Sequence, residues 1–550
     1  MHIFHLLRLG GTLPSRSVIF ITALAGMANA ILIALINIAA EQSVLDVPVE
    51  TQTLLLYLIA FCIYLIANRT SLQEANGFLQ KRLSALRLRI ADKILQADLR
   101  TLEKIGHGDI FSTLAQETNH LSHTFALLAS ASQSLMLLFF CLIYIALLSK
   151  IAFIVVASST AFALYFFWRR RLAMNQAMVE VHAHESQFLD SLQHYTDGFQ
   201  EIRLNADKND ALHKRFKRVL NDLERVVVGI GGKWAVLLLF SNAFLYALVG
   251  VVVFVLPIFF QGYTDTIYKI VAASIFLVGP VAAVTSAAPL FAKANIGLGH
   301  VFELEQRLNR DDVPVTVPGD ETNPFLSFKT ITLEGIQFSY RDAGHNAIFT
   351  TGPWTLDIHR GERLFVLGGN GSGKSTALKL IANLYESDGG QILVDSVPIT
   401  DATRQNYRAL FSCIFTDFHL FDRLYGLEGV SPSRVNELIR WMELEDKVEF
   451  TNGRFSTLEL STGQRKRLAM IVSLLEDREI YLFDEWAADQ DAHFREIFYT
   501  EILAQLKEQG KTVLVVTHDD RYWHLSDRTL NLEIGAMGPV TPPHPRSDKG

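Results

Sequence analysis

Gly368-Gly369-Asn370-Gly371-Ser372-Gly373-Lys374-Ser375-Thr376 follows an apolar run, Arg363 to Leu367, and leads into a second one, Ala377 to Leu384. The first run reads as a buried strand and the second as a helix, which makes the stretch between them a strand-to-helix loop. Glycines let such a loop curl until its backbone N–H groups and the helix N-terminus face phosphate oxygens. Lys374 then reaches the terminal phosphates, and the Ser375 hydroxyl can ligate magnesium. Gly368, Gly369, Asn370, Gly371, Ser372, Gly373, Lys374, Ser375 and Thr376 are therefore candidate nucleotide contacts, and an α/β phosphate-loop domain is expected around them.

Downstream, Ile480-Tyr481-Leu482-Phe483-Asp484-Glu485 is an apolar strand ending in two acids. Asp484 is placed to hold magnesium, directly or through water, and Glu485 to orient and polarise an attacking water. Between the two stands Leu460-Ser461-Thr462-Gly463-Gln464-Arg465, and after them a strand, Thr512 to Val516, leads into Thr517-His518.

The first 300 residues differ in kind. The chain of 550 residues is 49% hydrophobic and only 19% charged, against about 25% charged in an average soluble protein. The excess lies in apolar runs at Val18 to Ala40, Leu54 to Ala67, Phe125 to Leu148, Ile151 to Trp168, Trp234 to Phe260 and Ile267 to Ala292. About twenty residues at 1.5 Å rise cross a hydrocarbon core of about 30 Å. Six transmembrane helices in a lipid bilayer are expected, at about 18–40, 54–72, 125–148, 151–168, 234–260 and 267–292. The expected organisation is multi-domain: an all-α transmembrane domain over 1–300 with long cytoplasmic extensions, a linker over 301–325, a nucleotide-binding α/β domain over 326–535 and a flexible tail over 536–550.

Basic residues near span ends stay on the cytoplasmic side. Arg8 and Arg16, the set Arg69, Lys81, Arg82, Arg87, Arg89 and Lys93, and Arg169 to Arg171 mark those faces, which places both termini and the nucleotide-binding domain in the cytoplasm. A net charge of −7 gives no electrostatic reason to bind nucleic acid. Cys62, Cys141 and Cys413 are too scattered for a disulfide scaffold or a Cys-rich zinc site.

These motifs together resemble an ATP-binding cassette (ABC) protein, and six helices followed by one cassette resemble a half-size ABC exporter. The resemblance implies that ATP and Mg2+ are the cofactors, that Tyr340 stacks on adenine and that His518 contacts the γ-phosphate. It further implies that Leu460 to Gln464, with Ser461, Thr462, Gly463 and Gln464, is the signature that contacts ATP across a dimer, and that Asp491 ends the D-loop. Lys374, Glu485 and His518 are the expected catalytic groups, with Ser375, Asp484 and Asp417 as metal-binding candidates. The stretches Glu103 to Asp109 and Gly198 to Arg203 resemble exporter loops near the coupling helices.

Three departures stand out. Thr462 replaces a glycine of the signature, Trp486-Ala487-Ala488-Asp489-Gln490-Asp491 replaces the usual Ser-Ala-Leu-Asp ending, and Thr416-Asp417 stands where a Q-loop glutamine is expected. With Phe411 to Asp417 and His518-Asp519-Asp520, these features resemble the cyclic-peptide exporter group, which includes transporters of pyoverdine-type siderophore precursors, syringomycin-type lipopeptides and lasso microcins. The resemblance implies a bacterial cytoplasmic-membrane homodimer exporting a peptide-like cargo. A membrane-bound ATPase that senses or regulates without net transport is the competing expectation. Polar residues in the spans, among them Asn37 and Gln133, either line a cavity or bond helix to helix.

Overall fold

The computed structural model describes residues 2–8, 16–44, 50–255, 258, 264–308, 323–342, 344 and 346–542. Two compact units emerge: Met1–Leu95 with Ile105–Asn309, and Gln96–Lys104 with Arg310–Gly550.

The first unit is helical: α1 (His2–Arg8), α2 (Arg16–Val44) and α3 (Thr51–Gln96) come before α5 (His107–Phe111), and the short α4 (Leu99–Ile105) between them belongs to the second unit up to Lys104. A π-helical stretch, Ser112–Glu117, leads into α6 (Thr118–Leu148), α7 (Lys150–Asp197), α8 (Phe199–Leu204) and α9 (Ala206–Gly250). Then come α10 (Thr264–Phe276) and α11 (Val278–Leu308). With 46, 48 and 45 residues, α3, α7 and α9 are each roughly 70 Å long at 1.5 Å per residue. That is more than twice the thickness of a hydrocarbon core, so these helices continue well beyond it.

Among the described residues, Phe20–Gln42, Thr51–Gln96, Leu127–Leu148 and Lys269–Leu308 are long and apolar enough to cross a membrane. Two shorter apolar helices, Lys150–Ala163 and Tyr246–Val255, fall on the fourth and fifth expected runs. Large apolar side chains on these helices point outward, including Leu55, Ile59, Ile66, Phe139 and Ile154, as lipid-facing side chains do. Inside, Cys141, Ile145, Ala152, Val156, Val252, Ile270 and Ala273 form a small core. A Cβ on Gly26 would come within 2.7 Å of the Met136 Cβ, so α2 and α6 approach closely because this residue is small. Buried Asn37 donates to the Lys269 carbonyl at 3.2 Å and to the Tyr144 hydroxyl at 3.4 Å, a helix-bonding role.

The second unit begins with β1 (Thr330–Arg341), β2 (Ala347–His359), β3 (Arg363–Gly368) and α12 (Lys374–Ile381). It continues through β4 (Gly389–Val394), β5 (Val397–Pro398), α13 (Arg404–Arg408), β6 (Phe411–Ile414), α14 (Pro432–Trp441), β7 (Phe450–Thr451) and β8 (Arg454–Phe455). The last elements are α15 (Thr462–Glu476), β9 (Ile480–Asp484), α16 (Ala492–Ile497), α17 (Leu503–Glu508), β10 (Thr512–Val516), β11 (Arg528–Glu533) and β12 (Ala536–Thr541).

The main sheet has the order β12-β11-β3-β10-β9-β6 and is parallel except for β12; a second sheet runs β2-β1-β4-β5. Strands β9 and β10 are buried throughout, the burial expected of parallel strands covered on both faces. Successive residues point to opposite faces. Phe365, Tyr481, Phe483, Val513 and Val515 join a core with α14 and α15, while Leu364, Val366, Leu482, Leu514 and Val516 join one with α12, β1 and β2.

Two expected boundaries change. Helix α11 runs on to Leu308, so the start of the expected linker is helix; 309–322 lie outside the described residues. The segment expected as a flexible tail forms β12 antiparallel to β11. Pro539 disguises this strand in the sequence, and it is tolerated because β12 is the sheet edge, where an N–H can be spared. Residues 543–550 of that tail lie outside the described residues.

Candidate nucleotide site

Strand register assembles the site. Val516 of β10 lies opposite Val366 of β3 and Asp484 of β9, and Ile414 of β6 lies opposite Phe483. The loop after β3, Glu485 after β9, His518 after β10 and Thr416 after β6 therefore emerge along one sheet edge, at the carboxyl ends of the parallel strands.

Gly373 caps α12 in the left-handed region at φ 98°, a conformation that suits glycine. Lys374 is buried, and its Nζ donates to the carbonyls of Gly368 at 3.2 Å and Gly369 at 3.0 Å. The same Nζ is 3.8 Å from Glu485 Oε1, which is 3.1 Å from His518 Nε2. Glu485 occupies the left-handed region at φ 50°, a strained conformation for a non-glycine residue that the surroundings must hold.

Asp484 is 2% exposed. Its Oδ2 accepts from the Thr416 hydroxyl at 3.2 Å, whereas its Oδ1 is buried without a hydrogen-bond partner. Burial pushes its carboxyl up, against the opposing pull of the Ser375 and Thr416 hydroxyls. An orphaned carboxylate oxygen beside a serine hydroxyl is a donor set that fits a hard divalent cation. The Ser372 hydroxyl is likewise buried without a partner.

Asp417 points elsewhere. Its carboxylate is exposed and 3.8 Å from Lys379 Nζ, so in this structure Thr416, not Asp417, touches Asp484. Lys379 also meets Glu103 of α4 at 3.0 Å, and the Tyr385 hydroxyl donates to Glu103 at 2.5 Å. Burial acts to lower the Lys379 ammonium pKa, but Glu103 and Asp417 outweigh it and hold the ammonium above its usual range. Arg100 of α4 donates to the Ser339 carbonyl at 2.7 Å and lies 4.9 Å from the Phe338 ring. These α4 contacts fall within the second unit, which includes Gln96–Lys104.

Tyr340 is half-buried, its hydroxyl 3.2 Å from Thr376 Oγ1 and 3.3 Å from the Tyr385 hydroxyl. Its cross-strand partner Phe349 reaches within 3.4 Å of a Cβ position on Gly373. Sequence reasoning missed Phe349; only its alternation with Tyr340 across a hairpin could have pointed to it.

Ser461 caps α15, accepting from the Gln464 N–H while Gln464 Oε1 accepts from the Ser461 N–H. Thr462 is exposed at the head of that helix, and Asp491 caps α16 by accepting from Phe494 N at 2.9 Å. Among the described residues, no hydrogen bond or ion pair joins Leu460–Gln464 to the phosphate loop of the same chain.

One support was not legible as such. Gly535, in the turn between β11 and β12, donates its N–H to the Ser372 carbonyl at 3.0 Å. Its own carbonyl accepts from Gly352 N, Thr351 Oγ1 and Trp354 Nε1. The final hairpin therefore braces the phosphate loop.

Fold and site define a phosphate-loop ATPase cassette fused behind a helical membrane half. An ABC transporter family model matches residues 352–488. The chain is 32% identical over 540 residues to the ATP-binding protein SyrD of Pseudomonas syringae pv. syringae, covering 94% of this chain and 93% of that one. It is 30% identical over 222 residues to the macrolide export ATP-binding/permease protein MacB of Photorhabdus laumondii subsp. laumondii, covering 37% and 33% respectively. The structure of a bacterial Atm1-family ABC exporter with ATP bound matches its fold with a TM-score of 0.74 at 17% identity, covering 96% of this chain and 94% of that one. The chain belongs to the ABC transporter family, as a half-transporter of the exporter type. It is a multi-pass membrane protein that binds ATP and couples ATP hydrolysis to export.

Proposed function

We propose that two copies of this chain form an ATP-driven exporter in a bacterial cytoplasmic membrane, with both termini and the cassettes in the cytoplasm. By alternating access they move a cyclic or modified peptide, a siderophore precursor or a similar amphipathic compound outward. The observation that carries the ATPase chemistry is the meeting of Lys374, Glu485 and His518 at the ends of three neighbouring parallel strands, β3, β9 and β10.

In this reading the loop from Gly368 to Thr376 wraps the phosphates with backbone N–H groups, and Lys374 leaves its two carbonyl partners to meet the terminal phosphates. Glu485 orients the attacking water, and His518 holds Glu485 on one side and the γ-phosphate on the other. Tyr340 provides the adenine platform. Ser375 and Asp484 would hold Mg2+, which neutralises charge on the phosphate oxygens when bound. The Thr416 contact supports this residue, in place of Asp417, as the third group at the metal.

The signature, with Ser461, Thr462, Gly463 and Gln464, has no bond to its own phosphate loop among the described residues, which supports a second copy supplying it. Asp491 would then sit at the seam of that homodimer. The Thr416-Asp417 and Trp486 to Asp491 stretches, which resemble the cyclic-peptide exporter group, support a peptide-like cargo.

Uptake into inside-out vesicles tests the reading, comparing wild type with Glu485→Gln against peptides, lipopeptides and siderophore precursors by mass spectrometry. ATP-dependent accumulation with wild type alone is expected. ATP hydrolysis without accumulation of any cargo would favour the sensing ATPase instead.

A further inference from the structure

In the stretch Trp486 to Gln490, which departs from the family pattern, the side chains of Trp486, Asp489 and Gln490 each reach the first turns of the signature helix. Lys466 of α15 is 2% exposed, and its Nζ lies 2.7 Å from the Glu485 carbonyl and 2.7 Å from Asp489 Oδ2. Trp486, fully buried and stacked on Phe498 at 4.7 Å, donates Nε1–H to the Lys466 carbonyl at 2.9 Å. Gln490, 5% exposed, donates to the Gly463 carbonyl at 3.1 Å. A Cβ on Gly463 would stand 2.8 Å from the Asp489 carbonyl, so the signature glycine is needed by this turn as well.

A buried ammonium must be compensated, and here the compensation comes from the backbone oxygen of Glu485 and from a carboxylate four residues on. Glu485 is the residue whose backbone is strained, at φ 50° and ψ 37°. Removing the ammonium removes a bond that pins this strained turn.

We propose that Lys466 is a positioning residue for Glu485, tying the carboxylate of one ATP site rigidly to the signature helix that completes the other. This rests on the reading of Glu485 as the water-orienting group and of the signature as acting across two copies. Engagement of the signature by ATP on the partner then moves α15, Lys466 carries that shift to the Glu485 carbonyl, and the two sites become competent together. Asp489 and Gln490 hold the same joint from its other side, which gives the departure from Ser-Ala-Leu-Asp a physical purpose.

The test is steady-state ATP turnover by the purified full chain in lipid vesicles without cargo, for wild type, Lys466→Met, Asp489→Ala and Asp489→Asn. A mispositioned Glu485 lowers kcat roughly tenfold or more while leaving the ATP KM within about twofold. Lys466→Met and Asp489→Ala should show that split, with the Hill coefficient for ATP falling to one. Asp489→Asn keeps an oxygen acceptor and should recover most of kcat. Asp489 is half-exposed, so its alanine variant reports even where Lys466→Met fails to fold. Wild-type kcat and Hill coefficient in a folded Asp489→Ala would overturn the proposal. Since no cargo is present, failure of the export reading leaves these outcomes intact.

Discussion

At the scale of single residues, Thr416 and Asp417 meet different partners, the first bonding to Asp484 and the second facing Lys379. Thr416→Val removes the hydroxyl on Asp484, so the Mg2+ concentration for half-maximal ATP turnover should rise by roughly ten- to a hundredfold, the loss of one hydrogen bond to a charged group. Asp417→Asn should leave that concentration unchanged, because its carboxylate faces Lys379. A Mg2+ titration of both variants checks this, and equal shifts would return Asp417 to the metal. Asp484 itself makes a second test. Burial raises its folded-state pKa, so with neither nucleotide nor metal bound the folded protein holds its proton to higher pH than the unfolded chain does. Its contribution to stability is present below the ordinary carboxylate pKa and is lost as pH rises through the folded value. Asp484→Asn should therefore raise the melting temperature of the nucleotide-free protein at pH 7, by a margin that shrinks as pH falls through the raised folded-state value and is gone below about pH 4, the ordinary carboxylate range, while turnover is lost.

At the scale of elements, the brace between the last hairpin and the phosphate loop is the most exacting. Gly535 has φ 79°, and a Cβ there would stand 2.5 Å from the Thr350 carbonyl. Gly535→Val should cost the cassette about 1–3 kcal/mol and weaken ATP binding, as thermal unfolding and fluorescent-nucleotide titration would show. Unchanged ATP affinity would mean that the Ser372 bond is incidental. The same region shows what a sequence hides. Strands β3, β9 and β10 were legible because each is an apolar run that ends at a motif: the glycine-rich loop, the acid pair and Thr517-His518. Strand β12 was not, because Ala-Met-Gly-Pro-Val-Thr reads as turn until β11 offers it a place at the sheet edge. Thr416 and Asp417 are adjacent, and composition cannot say which of two neighbours meets Asp484. The Lys466 joint was equally invisible, since it depends on a turn folding back across 19 residues.

At the scale of the molecule, one cassette holds a phosphate loop and a signature with no bond between them among the described residues. Ser461→Cys and Asn370→Cys placed on separate copies, in a Cys62→Ser background, should cross-link when ATP is added and not without it. Cross-links formed equally without ATP would contradict closure on the nucleotide. Cys141 and Cys413 make little background, since Cys141 is buried in the helix core and burial pushes the Cys413 thiol well above its ordinary range. The bond from Trp354 to Gly535 closes a stretch of 181 residues, and it has a meaning for biosynthesis. A ribosome delivers the chain from its N-terminus, and segments fold as they emerge. The helices reach the bilayer first, the phosphate loop follows, and its brace comes only after every other strand of the main sheet has been made. A nascent chain thus carries the nucleotide motif well before it owns a nucleotide site, and the engine stays idle until the part of the protein it drives has already been inserted.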